Sequence, residues 1–476
     1  MNDDSRHRTA FSILLAALLL GIAGDALLRW VPWGVNALLW TLLFCVGARF
    51  IAGTSASETP RRVPWFPLLC ALLAAAGIAW RDSSVLVALD VMLLMLFLPM
   101  LALEARGVRL HAAGLAQIGA AVVVTGAQSV GGFVQLLGQD LSWSRMPRVG
   151  FRGAGVAVRG TLIATPALLI FGSLLGAADE DFARVLRELL VFDITDAIVH
   201  VIVALAIAAA CAGFLRSLAL SGELPHLSSP GLTLPAAETN VALGLVNLMF
   251  ALFVGVQFRY FFGAAPTQLA QYARRGFFEL VWVVGLTVSM LLLLEWLVSK
   301  ERGYAMFRTL AAVQVALVFV IAVSAFRRMQ LYRDAFGLTR LRFFTTAFMI
   351  WLAALLLWFV CSVLTGRRRH FAIGALASGM MVVVALHAIN PDAIIVTTNI
   401  ERARAGRRPF DQYYAMRLSD DAAPEILRNA DIVGPQLVQR VVQRQRPQGW
   451  RLWNASRARA RQAVRELDAG GSRSSY

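Results

Sequence analysis

Asp193, Asp196 and His200 recur at i, i+3 and i+7, so a helix lines them along one face. Such a set could relay a proton or begin a metal site. A metal would need a further ligand from a partner helix, and the sequence has no second histidine-rich segment. An N-terminal cap with one half-buried histidine accounts for the same pattern and is the favoured reading. The densest polar set lies in 238–279. Glu238 and Asn240 open an apolar stretch, Asn247 follows one heptad later on the same face, and Gln257 and Arg259 close it. Tyr272, Arg274 and Arg275 come next, and Glu279 stands within i, i+4 reach of Arg275, where an Arg–Glu pair would form. Such a pair fixes helix register as readily as it serves a site. A third set is Arg327, Arg328, Arg333, Arg340 and Arg342, interleaved with Tyr332 and Asp334, and it reads as a short loop. Arginine grips phosphate with two parallel donors, yet a loop resting on anionic headgroups explains these residues more simply.

Other ionisable residues stand alone. Asp25, Glu104 and Glu295 fall near the ends of apolar runs, where they can reach water. Asp90 is deeper, in a run that can slide to bring it to an interface; a pairing with Arg49 is left open. His387 is the lone histidine of the last apolar run and reads as a hydrogen bonder between helices. Cys45, Cys70, Cys211 and Cys361 each sit in an apolar run with no CxxC spacing, so they read as small buried residues. There is no Walker A motif, no G-x-G-x-x-G, no H-E-x-x-H and no G-x-S-x-G elbow. Those absences argue against an ATP-driven pump or a zinc protease, and no cofactor or metal is expected.

These residues must be positioned by helices in lipid. Of 476 residues, 58% are hydrophobic and 16% charged, with a mean hydropathy of +0.64. A soluble domain covers itself with about 25% charged residues. Twelve apolar runs are long enough to cross: 9–28, 33–52, 64–80, 83–103, 112–137, 160–177, 194–214, 238–258, 277–298, 307–326, 343–365 and 371–389. Only helices satisfy their own backbone in lipid, and period-two alternation is missing, so an all-α polytopic protein of about twelve spans (11–13) is expected. The fifth run holds Gln117, Gln128, Gln135 and five glycines, so it either spans or re-enters. Segment 178–193 has an apolar face suited to the interface plane.

The chain reads as three regions: N-terminal spans 1–159, a membrane core 160–389, and a basic helical tail 390–476. Asn390-Pro391-Asp392 restarts a helix outside the membrane, with Asn as cap, Pro at the first position and Asp at the positive end of the dipole. Ser419-Asp420-Asp421 opens another helix, and Gly434-Pro435 breaks it and starts a third. The net charge of +16 follows the positive-inside rule and does not point to nucleic acid. Lys300 is the only lysine, a usage suggesting a GC-rich bacterium. The loop bias puts both termini in the cytoplasm, and the expected partners are the bilayer, its anionic headgroups and another membrane protein.

Several stretches together resemble a bacterial family. They are 175–183, Gly244–Phe250 through Gln257–Tyr260, Tyr272–Leu280, Leu331–Leu341, Asn390–Ala393 and Trp453–Arg459. The chain resembles domain-of-unknown-function family 4173, close to family 4153, over about residues 160–460. The resemblance implies a polytopic bacterial inner-membrane protein and brings no activity. It places Asn247, Gln257, Arg259, Tyr272, Arg274, Arg275, Glu279, Tyr332, Asp334, Arg340, Asn390 and Asp392 in family motifs, without roles. With Asp196 and His200 they are the candidate functional residues. Three functions compete: a transporter or permease, a scaffold or regulatory partner of another membrane protein, and, less favoured, an enzyme on a lipid-linked substrate.

Overall fold

The computed structural model describes residues 3–54, 63–106, 115–141, scattered positions of 164–182, and residues 194–221, 234–263, 277–299, 302–367, 370–445 and 449–473. Most of the sixth run, most of 178–193, and Tyr272, Arg274 and Arg275 with the Arg275–Glu279 pairing lie outside the described residues.

Ten helices among the described residues are long and apolar enough to cross a membrane. The chain is therefore an all-α multi-pass membrane protein. The long helices are α1 (Asp3–Leu28), α2 (Val35–Thr54), α4 (Ser84–Ala105), α5 (Leu115–Gln135, continued as a π-turn over Leu136–Asp140), α6 (Ile194–Ala219), α7 (Ala236–Gly263), α8 (Phe277–Leu297), α9 (Tyr304–Phe336), α10 (Arg340–Phe359) and α11 (Phe371–Ile389). An eleventh apolar helix, α3 (Trp65–Trp80), has 16 residues. The third arginine set corrects the sequence reading. Residues 327–336 are the last turns of the 33-residue α9, and only Gly337–Thr339 form the connection. Arginine is a good helix former, so nothing in 327–336 stops the helix until Gly337 adopts φ 83°.

The chain forms two compact units. The first comprises Met1–Val31, Leu42–Val63 and Val124–Gly222. Here α1 and α6 run antiparallel, with Gly21 of α1 against Ala204 and Ala208, a small-residue contact that lets two backbones approach. The second comprises Pro32–Thr41, Pro64–Val123 and Glu223–Tyr476. Its membrane core packs α7 to α11 around Leu243, Leu291, Phe307, Val318, Leu356 and Phe359. A smaller cluster joins α3, α4 and α11 through Cys70, Phe97, Met100 and Ala372.

The rest of the second unit is a C-terminal module of short helices: α12 (Pro391–Arg404), α13 (Gln412–Ala415), α14 (Ala423–Arg428), α15 (Ala430–Val433), α16 (Pro435–Arg444) and α17 (Ala455–Arg473). Asn390 caps α12 from φ 59°, with Pro391 at its first position. Ser419 caps the turn Asp420–Ala422, and Gly434 at φ 80° separates α15 from α16. The module has its own core of Ile395, Ile400, Ala422, Ile426, Leu437 and Ala460. Because Ile426 is only 2% exposed there, Ile426→Ala is expected to destabilise the module by about 2–5 kcal/mol. Hydrogen exchange should rise across α12 to α17 and stay unchanged within α7 to α9.

Candidate functional site

Where a helix ends, its last carbonyls and first amides lack partners in the helix. In the second unit the C-terminal module supplies many of them. After Trp80, Arg81 turns extended and α4 starts at Ser84, so three residues join two apolar helices. The Asp421 carboxylate accepts from the amides of Asp82 (2.9 Å) and Ser83 (2.8 Å) and caps the start of α4 from outside. A carboxylate at that end also meets the positive pole of the helix dipole. Arg81 Nε donates to the carbonyl of His387 (2.7 Å), near the end of α11, while Nη1 reaches Asp421 at 3.4 Å. Asn454 Nδ2 donates to the carbonyls of Ile78 (2.8 Å) and Arg81 (3.0 Å) at the end of α3. The Ser456 hydroxyl lies between Trp80 O and Asp421. Val35, the first residue of α2, donates its amide to Trp453 O at 2.8 Å. Arg457 donates to Trp33 O and pairs with Asp82 at 3.2 Å.

A second knot joins the module to α9 and α10. Asp392 is fully buried and holds Arg340 through both oxygens, while also accepting from the amide (3.0 Å) and hydroxyl (2.6 Å) of Ser419. The amide of Arg340 donates to the Tyr414 hydroxyl at 2.6 Å. Asn399 accepts from Leu338 N and donates to Leu338 O, and Arg402 donates to Asp334 O at 2.7 Å. Arg342 lies over the Tyr332 ring, 4.2 Å from its centre.

Deeper in the same helices, Asp90 of α4 and His387 of α11 meet, with Oδ2 to Nε2 at 3.0 Å. Both are nearly inaccessible, at 1% and 2% exposure. His387 Nδ1 lies 2.8 Å from Val383 O, a carbonyl that can only accept, so Nδ1 carries a hydrogen. The contact with Asp90 then requires one more proton, shared between Nε2 and the carboxylate. Gly77 of α3 forms the wall: a Cβ there would stand 2.6 Å from Nε2 and 2.7 Å from Oδ2. Asp90 is thus enclosed by α3 and α11.

The first unit has its own polar sets. Asp196 and His200 meet Arg29 and Asp25 across 167 to 175 positions: Arg29 donates to His200 Nε2 (2.5 Å) and to Asp196, and His200 Nδ1 meets Asp25 (2.5 Å). Asp140 is held by Arg6 and Arg216. The expectation that Asp25 and Glu295 reach water is corrected. Asp25 is 9% exposed beneath His200, and Glu295 is 6% exposed and accepts from the Tyr304 hydroxyl at 3.4 Å.

Of the other candidates, Asn247 crosses from α7 to donate to Leu310 O of α9 at 2.9 Å. Glu279 and Asp334 are exposed. Gln257 and Arg259 are helical, and their side chains lie outside the described residues. Arg340, Asn390 and Asp392 converge on the junction; Asn390 Nδ2 also donates to Asp421 O at 3.2 Å. Sequence reasoning missed Arg81, Asp82, Asp421, Asn454, Ser456 and Arg457 as partners. Their only trace was the Trp453–Arg459 stretch of the resemblance and a helix start read at Ser419-Asp420-Asp421.

The model of the family described as Domain of unknown function (DUF4153) matches residues 68–429. The matched range takes in Arg81, Asp90, Arg340, His387, Asp392 and Asp421. No curated protein and no solved structure matches the chain.

Burial of Asp82 pushes its carboxyl up to about 6 from an ordinary 3.8, against the opposing pull of Arg457. Asp420 beside it is raised for the same reason, offset by Arg444 and Arg457. The docked junction therefore binds more protons than an undocked one as pH falls from 6 towards 3.8, so docking is firmest at the acid end of that window and weakens as pH rises through it. Above that window the contribution is flat. Limited proteolysis should release the module faster at pH 7 than at pH 5, after correction for protease activity, and Asp82→Asn should reduce that difference. Asp392→Ala removes the countercharge of Arg340 and is expected to cost about 3–5 kcal/mol. It should free the module to proteolysis at every pH, and full protection in that variant would refute the role given to Asp392.

Proposed function

Since the chain belongs to that family, whose description carries no activity, we propose a function from the junction: the protein is a membrane-embedded regulator whose C-terminal module reports the state of the Asp90–His387 pair. The observation that carries this reading is the double use of His387. Its ring meets Asp90 and its carbonyl accepts from Arg81, which in turn meets Asp421 of the module. Loss of the shared proton would set an imidazole lone pair against a carboxylate. The last turn of α11 then has reason to move, and Arg81 and Asp421 carry that movement to the module. A switch of this kind is a local charge change that biases a docked element.

We place the module on the cytoplasmic face of a bacterial inner membrane. The support is positional: Arg340 of α10 meets the module, Arg327, Arg328, Arg333 and Arg342 lie close by in the sequence, and the positive-inside rule assigns such ends to the cytoplasm. A second membrane protein is the natural recipient of the signal.

A second reading is proton-coupled transport, favoured by the further carboxylate–imidazole pair Asp25–His200 in the first unit. The two readings separate in reconstituted protein. The regulator predicts that Asp90→Asn and His387→Gln each raise hydrogen exchange in 420–428 and 454–460 by roughly tenfold or more. Gly77→Ala, which leaves both partners in place but crowds them, should do the same to a lesser degree. Unchanged exchange in all three variants would rule out the coupling. A sustained proton flux in proteoliposomes that these variants abolish would select the transporter.

A further inference from the structure

The module carries a surface cleft of about 530 Å³ between α13 and α16, lined by Tyr413, Arg417, Gln436, Gln439, Arg440 and Gln443. From its position and charge we propose that it is a binding site for the phosphate-bearing headgroup of an anionic phospholipid.

Position comes first. The Tyr414 hydroxyl accepts from the amide of Arg340, the first residue of α10, and Arg417 O accepts from Arg340 Nη1 at 3.1 Å. Tyr413 and Arg417 therefore sit beside the point where a span enters the membrane. On another side of the module, Trp453 O holds the amide of Val35, the first residue of α2. Attachment at two span starts fixes the module at headgroup depth, where anionic phospholipids attract basic side chains. Tyr413 is 81% exposed and Trp450 64% exposed, and amphipathic rings of this kind favour that layer.

Charge comes second. Several arginines of the module already have acidic partners: Arg444 with Asp420, Arg428 with Glu425 and Arg404 with Asp431. Arg417 and Arg440 are exposed and meet no carboxylate among the described residues. They leave the cleft with two guanidinium groups suited to a phosphate and glutamine amides suited to glycerol or phosphate oxygens. The volume is that of a small-molecule site, larger than inorganic phosphate requires. The site is independent of the Asp90–His387 reading, since it uses none of that chain of contacts.

The test uses the full-length protein in detergent, titrated with dioleoylphosphatidylglycerol or dioleoylphosphatidylcholine and followed by native mass spectrometry. The tightest-bound phosphatidylglycerol should dissociate roughly tenfold more readily from the Arg417→Gln/Arg440→Gln double variant. Phosphatidylcholine binding should be unchanged, as should the thermal midpoint, because both side chains are exposed. Arg367→Gln, exposed beyond the far end of α10, should have no effect. Equal phosphatidylglycerol affinity in the double variant overturns the site. Displacement of the lipid from the wild-type protein by millimolar inorganic phosphate, with the double variant insensitive, overturns the lipid as ligand in favour of free phosphate.

Discussion

Every helix that leaves a membrane ends in backbone groups that its own turns cannot satisfy, and in the second unit that constraint organises the rest. Unpaired amides and carbonyls are tolerable in water and costly near hydrocarbon. α3 shows how near they come. Its 16 residues reach about 24 Å at 1.5 Å per residue, less than a hydrocarbon core of about 30 Å. The carbonyls of Ile78, Trp80 and Arg81 cannot rely on bulk water, and Asn454 and Ser456 meet them. Asp421 does the same for the start of α4, Trp453 for α2 and Tyr414 for α10, while Arg81, itself held by Asp421, serves α11. The C-terminal module is in this sense a shared cap, and its tertiary position follows from what the helix ends require.

A shared cap ties distant segments into one equilibrium. Asp421 alone contacts the Arg81–Ser83 connection, Ser419 and Ser456, so loss of its position opens several helix ends at once. Such networks are worth more than their separate bonds when complete, and less than an apolar core when partly broken. That is the physical basis for expecting the module to dock as a unit.

The sequence displayed the parts of this arrangement that are local. Apolar runs located the spans because lipid imposes length and composition on each one separately. Asn390-Pro391-Asp392 announced a helix start because cap chemistry is written in adjacent residues. What lay hidden was pairing across distance. Asp90 and His387 are 297 positions apart, and Arg81 and Asp421 are 340 apart, so no spacing rule could join them. Each half looked ordinary: a carboxylate in a run that could slide, a lone histidine, a helix cap. The stretch 327–342 misled for a different reason. Its charge suggested a loop, whereas long charged side chains are compatible with a helix that continues beyond the span.

The two histidine sites hold their rings in different ways. At His200, Nε2 accepts from Arg29, a group that can only donate, and Nδ1 faces Asp25. Asp196 also lies 3.5 Å from Nε2, so the ring is held by three side chains at once. At His387, Nδ1 is spent on the carbonyl of its own helix, and Nε2 faces a carboxylate that can either hold or release the remaining proton. Gly77 leaves no room for the pair to relax sideways, since even a methyl group there would collide with both partners. A change in proton occupancy must therefore be taken up along α11, and the residue that holds the end of α11 is Arg81, whose other partner is Asp421.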